Sequence, residues 1–427
     1  MESQVQAYIA VAVFLLTYAL IISEKIHRTV VALLGGLLVI FLGILEQHKA
    51  IEMIDFNTLG LLTGMMIIVG ITKRTGLFEF LAIKSAKWAK GEPWRLMLAL
   101  ATITAVGSAF LDNVTTVLLI VPVTFSITEE LKINPIPFLI TEIIASNVGG
   151  TATLIGDPPN IMIGSQTHLG FMDFLVNLTP PAIIVYILTM ICLRFIYGRR
   201  LKVAEELKQK VMAFDENEAI KDVPLLKKCL FVLGLTILGF ILHQFLHMES
   251  ATIALGGGTL LMLLSKINPE HVLHEVEWPV IFFFIGLFIL VGGLEETGII
   301  EAMAVKSLEI TGGEMVSTSL IILWLSAIAS AFVDNIPFVA TMIPLLKTMG
   351  ELGGMSNIDP FWWSLALGAC LGGNGTLIGA SANVIVAGMA EHRKYPISFI
   401  GYMKVAFPLM IMSIVISSIY VYLRYLM

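Results

Sequence analysis

The sequence points to an all-α polytopic membrane protein made of two copies of one unit, inserted in opposite orientations. Three observations carry this. The 427 residues are 57% hydrophobic and 14% charged, with a mean hydropathy of +0.89, and apolar stretches of bilayer length recur from end to end. Ser108-Ala109-Phe110-Leu111-Asp112-Asn113 returns as Ser330-Ala331-Phe332-Val333-Asp334-Asn335 at an offset of 222, and Thr153-Leu154-Ile155-Gly156 with Asn160 returns as Thr376-Leu377-Ile378-Gly379 with Asn383 at 223. In both copies an Asp-Asn pair and a glycine-rich break interrupt apolar helix, the sequence mark of a transporter's binding site.

The first half reads, in order, as spans over 5–23, 29–46 and 57–72, then a charged amphipathic piece over 74–94. Glu2, not a basic region, precedes the first span, so it reads as a retained helix and not a cleaved signal. Segments 96–111 and 114–127 flank Asp112-Asn113, and arms of about 16 residues fall short of the roughly 20 needed to cross. They are expected to form a re-entrant hairpin. A helix from 138 breaks near Gly149-Gly150, resumes after Asp157-Pro158-Pro159, and a last span covers 179–197.

The repetition extends well beyond the signature. Thr75-Gly76, Glu79 and Lys84-Ser85 return as Thr297-Gly298, Glu301 and Lys306-Ser307, and Gly64 and Gly70 return as Gly286 and Gly292. The units are therefore 1–196 and 229–427, joined by a polar linker over 197–228 with Arg199, Arg200, Lys202, Lys208 and Lys210. Five crossings plus a hairpin per half is an odd count, so the second half enters upside down as an inverted repeat. With both termini outside, 22 of the 26 Lys and Arg fall on the linker's cytoplasmic side, Arg28 among them.

An unpaired carboxylate in the hydrocarbon region costs several kcal/mol unless it meets a partner, a proton or a wet cavity. Asp112 and Asp334 sit at the two hairpin tips, Asp157 in the first helix break, and Glu142 on the arm before it. No Lys or Arg falls within these tips or breaks, so the acids are expected to meet cations, protons or a net-neutral combination of ion and substrate. Asn113, Thr115, Thr116, Asn147, Thr151, Asn160, Asn335, Asn374, Thr376, Ser381 and Asn383 add amide and hydroxyl oxygens. Hard oxygen ligands at this density suit Na⁺ better than a soft metal, and Asp112, Asn113, Asp334 and Asn335 are the Na⁺ candidates. Gly149, Gly150 and Gly373 are poor helix interior and, with the prolines, offer backbone groups to the site. Non-helical backbone at membrane depth is tolerated only around protein or a cavity that satisfies it.

The copies are not identical. Asp157-Pro158-Pro159 corresponds to Ala380-Ser381-Ala382, and Glu142 to an uncharged residue. The first half thus carries extra acid, and Asp157 or Glu142 is the candidate for a proton-linked step. Other features have plain readings: Gly35-Gly36 and Gly256-Gly257-Gly258 for close helix packing, Trp88, Trp94, Trp278, Trp362 and Trp363 for aromatic belts at helix ends. Cys192, Cys229 and Cys370 are too few for a disulfide framework or thiolate metal site.

Ser108 through Thr116, Asn147 through Ala152, and Gly156-Asp157-Pro158-Pro159-Asn160 resemble the melanosomal P protein family and its prokaryotic relatives. That family groups with arsenical-pump and NhaD-type antiporters in the ion transporter superfamily. Leu111-Asp112-Asn113 departs from the Asn-Asp-Gly typical of the arsenical pump. The superfamily's dicarboxylate carriers have Ser-Asn-Thr at the tips, where this chain has an acid. The resemblance implies a transport domain over about 95–168 and 317–392, with arms at 74–94 and 296–314. It also implies a scaffold of the remaining helices, a homodimer, and elevator-type alternating access.

The expected function is secondary active transport, with Na⁺/H⁺ exchange leading. A Na⁺- or H⁺-coupled carrier of a carboxylate or arsenite, and a passive anion channel, stay open as alternatives. No cofactor is expected beyond Na⁺ and H⁺ as coupling ions. The partners are membrane lipid, a small ion or small-molecule substrate and a second copy of the chain, not nucleic acid. The expected location is a prokaryotic inner membrane. No nucleotide-binding loop or nucleophile–base arrangement suggests an enzyme.

Overall fold

The computed structural model describes residues 2–23, 25–198, 201, 203–213 and 215–427; Arg199, Arg200 and Lys202 of the linker lie outside them. Among the described residues no strand occurs. The first half holds α1 (Glu2–Ser23), α2 (Arg28–Phe41), α3 (Gln47–Glu52), α4 (Phe56–Lys73) and α5 (Leu77–Trp88). It continues with α6 (Pro93–Leu111), α7 (Asn113–Glu130), α8 (Ile136–Thr151), α9 (Pro158–Ser165) and α10 (Phe171–Tyr197). The connection carries α11 (Glu205–Met212) and a 3₁₀ turn, Glu216–Ala219.

The second half follows the same order: α12 (Val223–Leu246), α13 (Ser250–Ser265), α14 (Pro269–Leu273), α15 (Trp278–Glu296), α16 (Ile299–Thr311), α17 (Met315–Phe332), α18 (Asn335–Leu352), α19 (Asp359–Gly372), α20 (Ser381–His392) and α21 (Phe399–Val421). From α2 to α9, each helix has a counterpart that starts 222 or 223 residues later. The start signals repeat as well. Asp112 and Asp334 cap α7 and α18, prolines open α6, α8, α9, α15 and α19, and Gly76 and Gly298 precede α5 and α16 at φ +79° and +74°.

Eight described helices are long and apolar enough to cross a membrane: α1, α4, α6, α10, α12, α15, α17 and α21. Several boundaries differ from expectation. The hairpin arms run to 19 and 18 residues in the first copy and 18 and 18 in the second. The extra turns are polar-ended, as at Trp94-Arg95 and Glu129-Glu130, so apolar counting misses them. α10 begins eight residues before 179 and runs through Pro180-Pro181. α8 stays helical to Thr151 and the break comes after it; Gly149 sits inside the helix where α6 leaves no room for a side chain. A Cβ there would stand 2.0 Å from the Ala105 carbonyl oxygen. Trp362 and Trp363 are buried in α19, not placed in an interfacial belt, with Trp363 edge-on to Phe174 at 5.3 Å.

Packing sorts the helices into two bodies. In the frame, α2 lies on α15 and α4 on α13, each pair joining opposite halves. Backbones approach closely there: a Cβ on Gly64 would sit 2.3 Å from the Ala254 carbonyl carbon, and one on Gly286 2.5 Å from that of Ala32. Gly256, in the glycine run of α13, faces open space. In the central body, α6 packs on α8 and α17 on α19, with α7–α20, α9–α18 and α8–α19 contacts crossing between halves. The expected limits of 168 and 392 leave out α10 and α21, yet these helices pack on α8, α19 and each other.

The connection is asymmetric. It lies along α5 and the base of the first hairpin, through Lys87–Glu216, Lys210–Glu130 (3.4 Å) and Lys221–Glu79 (3.7 Å). The Lys221 amide donates to the Thr75 carbonyl at 3.0 Å, and Leu207 joins the apolar cluster of Phe78 and Leu131. At the matching arm α16, nothing among the described residues lies within 4 Å of a Cβ at Gly298, whereas one at Gly76 would meet the Ala219 carbonyl of the connection.

Candidate functional site

Each hairpin turns at its aspartate with almost no loop. Asp112 alone separates α6 from α7, at φ +89° and ψ 155°, a conformation costing an L-residue roughly 1–3 kcal/mol. Its carboxylate accepts from the Thr115 amide (2.9 Å) and hydroxyl (2.6 Å), and the Thr116 hydroxyl donates to its carbonyl at 2.7 Å. Asp334 turns at φ −48°, without strain, and accepts from the Ile336 amide at 3.1 Å. The two tips therefore share sequence but not conformation.

The duplicated serines and threonines pin each tip to its own broken helix. Ser108 Oγ donates to the Ser146 carbonyl and Ser330 Oγ to that of Ala369, both at 2.6 Å. Thr153 and Thr376 donate to the carbonyls of Ala109 and Ala331. Asn160 Nδ2 donates to the carbonyls of Thr151 (3.2 Å) and Thr153 (2.8 Å), and Asn383 Nδ2 to those of Gly373 (2.7 Å) and Thr376 (2.9 Å). These amides fold the breaks back on themselves.

Between the breaks, Asn147 joins the halves. Its Nδ2 donates to Asn374 Oδ1 and Asn383 Oδ1, both at 2.9 Å, and its Oδ1 accepts from Asn113 Nδ2 at 3.3 Å. The pseudo-equivalent of Asn147 is Cys370, whose thiol donates to Asn160 Oδ1 at 3.5 Å. A thiol thus stands where symmetry would place an amide. Asn374 Nδ2 has no partner and is buried.

Asp112, Asn113, Asp157, Asn335 and Ser381 line one cavity of about 30 Å³ together with Arg28 and Glu277 of the frame, room for about one water-sized occupant. Asp157 is 1% exposed; Oδ1 accepts from Asn335 Nδ2 at 3.4 Å and Oδ2 has no partner. Among the described residues no three His, Cys, Asp or Glu side chains converge to hold an ion alone. An ion here would draw on amide, hydroxyl and backbone oxygens as well.

Glu142 is not part of this cavity. It is buried between α7 and α8, where Thr124 donates to Oε1 at 2.6 Å and Oε2 stands alone. Gly149 and Gly150 remain helical and serve close approach, since a Cβ on Gly150 would meet the Gly156 carbonyl oxygen at 2.6 Å. Thr151 donates to the Asn147 carbonyl one turn back, at 2.7 Å.

One partner is not legible in the sequence: no Lys or Arg falls within the tips or breaks, and Arg28 counts there only among the residues of the cytoplasmic side. Arg28 Nη1 instead donates to Asp334 Oδ2 at 2.6 Å and Ser381 Oγ at 2.7 Å, and its guanidinium lies 5.2 Å from the Phe283 ring centroid. The partners are 306 residues apart, so no local spacing reveals the pair. Glu277 also escapes sequence reasoning, but a signal exists: its counterpart 222 residues earlier is Asp55, an acid directly before a span in both copies.

The profile of the family described as CitMHS: citrate transporter matches residues 18–368. An uncharacterized transporter of Mycobacterium tuberculosis is 44% identical over 98% of both chains. The human P protein is 36% identical over 98% of this chain and 60% of its own length. The crystal structure of the Alcanivorax borkumensis YdaH transporter, a protein of unusual topology, matches over 88% of each chain with a TM-score of 0.61 at 15% identity, a likeness of fold.

Proposed function

This chain belongs to the CitMHS citrate transporter family, and from that premise we propose that it exchanges Na⁺ for H⁺ across the membrane. It is a secondary transporter and not an enzyme. The observation that carries the antiport reading is the inner cavity, where Asp112, Asp157 and Glu277 meet amide and hydroxyl oxygens in a volume sized for a small ion. A compact hard cation fits such ligands, and the acids offset its lost hydration. Asp112, Asn113 and Asn335, which line that cavity, would hold Na⁺ together with Asp334, whose carboxylate is engaged by Arg28 in this structure. Asp157, with an unpartnered oxygen and a place in the cavity lining, is the proton carrier, in preference to Glu142, which lies between α7 and α8 and does not line the cavity.

The central body would carry the site past the frame, with α10 and α21 moving with it. The connection would lie in the cytoplasm, both termini outside, and two copies of the chain would pair. The family's mycobacterial relatives support a bacterial inner membrane as its location.

A second reading has its own support. Arg28 and the N-termini of α7, α9, α18 and α20 offer positive charge near the cavity, and the family is described by citrate. A carboxylate carried with Na⁺ or H⁺ would use them.

The test is pH-gradient dissipation in proteoliposomes on adding Na⁺, Li⁺ or K⁺. Asp112→Asn preserves the helix cap, because asparagine caps as well as aspartate, and removes the charge. Sodium-dependent dissipation in wild type that is lost in this variant is the expected result. Dissipation that persists in the variant, or citrate uptake with no cation-driven proton movement, refutes the antiport reading.

A further inference from the structure

Arg28 is a frame residue holding an aspartate of the central body, and its setting is specific. Asp334 and Ser381 fix one guanidinium nitrogen, and the guanidinium lies over the Phe283 face, a stacked setting in which lysine does not replace arginine without loss. The Arg28 and Asp334 side chains are 28% and 13% exposed, so the pair is only partly screened by solvent. Arg28, Asp334 and Ser381 lie beside a larger cavity of about 240 Å³, and Arg28 and Ser381 also line the 30 Å³ one. The guanidinium therefore stands in the wall between them.

The repeat makes the arrangement one-sided. The residue 222 positions after Arg28 is Ser250, so the second half has no guanidinium to offer the first tip. Asp112 accordingly uses its oxygens on Thr115 of its own helix. In an inverted repeat, opposite ends of the stroke exchange the environments of the two halves. An Arg28-type pair can then form at one end only.

We propose that Arg28 is a built-in counter-cation: it takes the place of the transported cation on Asp334 at one end of the stroke. This rests on the cation reading above. Cation and guanidinium compete for one carboxylate, so the ion is displaced toward the larger cavity where the pair forms, and is retained where it cannot. The ion leaves without a bare carboxylate remaining in the membrane interior, which would be costly. Arg28 thus lowers cation affinity at one face and sets the direction of release. It acts through Asp334 and does not itself ligate the ion.

The test uses full-length protein in detergent, reading thermal stabilisation against NaCl with choline chloride at equal ionic strength. Arg28→Gln is expected to tighten the apparent Na⁺ constant by about tenfold or more, equivalent to roughly 1.4 kcal/mol. Arg28→Lys, which keeps the charge but loses the planar group over Phe283, should fall between. Lys49→Gln, which breaks a frame ion pair of the same 2.6 Å length to Glu296 away from the site, should leave the constant at its wild-type value. In proteoliposomes Arg28→Gln should slow turnover as bound Na⁺ is released less readily. Unchanged or weaker Na⁺ binding in Arg28→Gln, with wild type responding, overturns this inference alone, and unchanged or weaker binding in Arg28→Lys does so if the glutamine variant does not fold. Citrate stabilising wild type and Arg28→Lys but not Arg28→Gln would make Arg28 an anion ligand and overturn it as well. No response to Na⁺, Li⁺ or K⁺ in either wild type or Arg28→Gln would overturn both this inference and the cation reading.

Discussion

Replacing Asn147 with alanine tests whether one amide holds the two halves of the central body together. The substitution removes three hydrogen bonds, to Asn374 and Asn383 at 2.9 Å and from Asn113 at 3.3 Å. At about 0.5–1.5 kcal/mol each the direct loss is roughly 1.5–4.5 kcal/mol. Asn374 would then be left buried without a side-chain bond, since its Nδ2 already lacks a partner, which pushes the total toward the upper half of that range. Cys370→Ala at the pseudo-equivalent position loses one 3.5 Å thiol contact and is expected to cost about 1 kcal/mol, mainly in lost burial. The assay is denaturant unfolding in micelles, with an Asn147→Ala/Asn383→Ala cycle beside the single variants. A coupling of about 0.5–3 kcal/mol between the asparagines is expected for groups in direct contact. If Asn147→Ala costs no more than Cys370→Ala, or the cycle is additive, the amide does not join the halves as the geometry implies.

Further expectations concern packing, proton linkage and the connection. Gly64→Ala should destabilise by about 1–3 kcal/mol through overpacking against Ala254, whereas Gly256→Ala, facing open space in the same frame pair, should be neutral or stabilise by up to about 1 kcal/mol; thermal unfolding separates the two. Glu142→Gln should keep sodium-driven pH dissipation in proteoliposomes while Asp157→Asn loses it, and the opposite pattern would move the proton to Glu142. In the connection, Lys87 beside Glu216 holds its carboxyl below the ordinary glutamate value. A lowered folded value means that this contribution is present above the unfolded value and is lost as pH falls through the folded one. Amide protection over 205–213 and 215–219, taken relative to the intrinsic exchange rate at each pH, should therefore fall on acidification below the usual glutamate range, and in Lys87→Ala already at neutral pH.

What can be read in advance follows from what is local. The duplicated Ser-Ala-Phe-x-Asp-Asn and Thr-Leu-Ile-Gly runs locate both tips and both breaks, because each turn is dictated by residues within a few positions of it. Helix ends are less legible. Apolar counting stops at Trp94-Arg95 and does not reach back past 179, but the helices begin at Pro93 and Phe171. Gly149 reads as backbone freedom and is close approach, a distinction that needs the neighbouring helix. Arg28 is hidden by a rule that is right on average: basic residues at helix ends collect on one side of the membrane. Nothing in the rule says that one of them will reach an aspartate 306 residues away.

The cross-half pairing of the frame has a consequence for biogenesis. α2 packs on α15 and α4 on α13, so the first half's frame helices emerge without their final partners. At roughly 5–20 residues per second, the 222-residue repeat takes on the order of 10–45 s to synthesise. Throughout that interval the glycine faces of α2 and α4 must be covered by lipid or by the insertion machinery. The first half is therefore exposed to premature association with its own kind, and the arrival of α13 and α15 is the event that commits the chain to its fold.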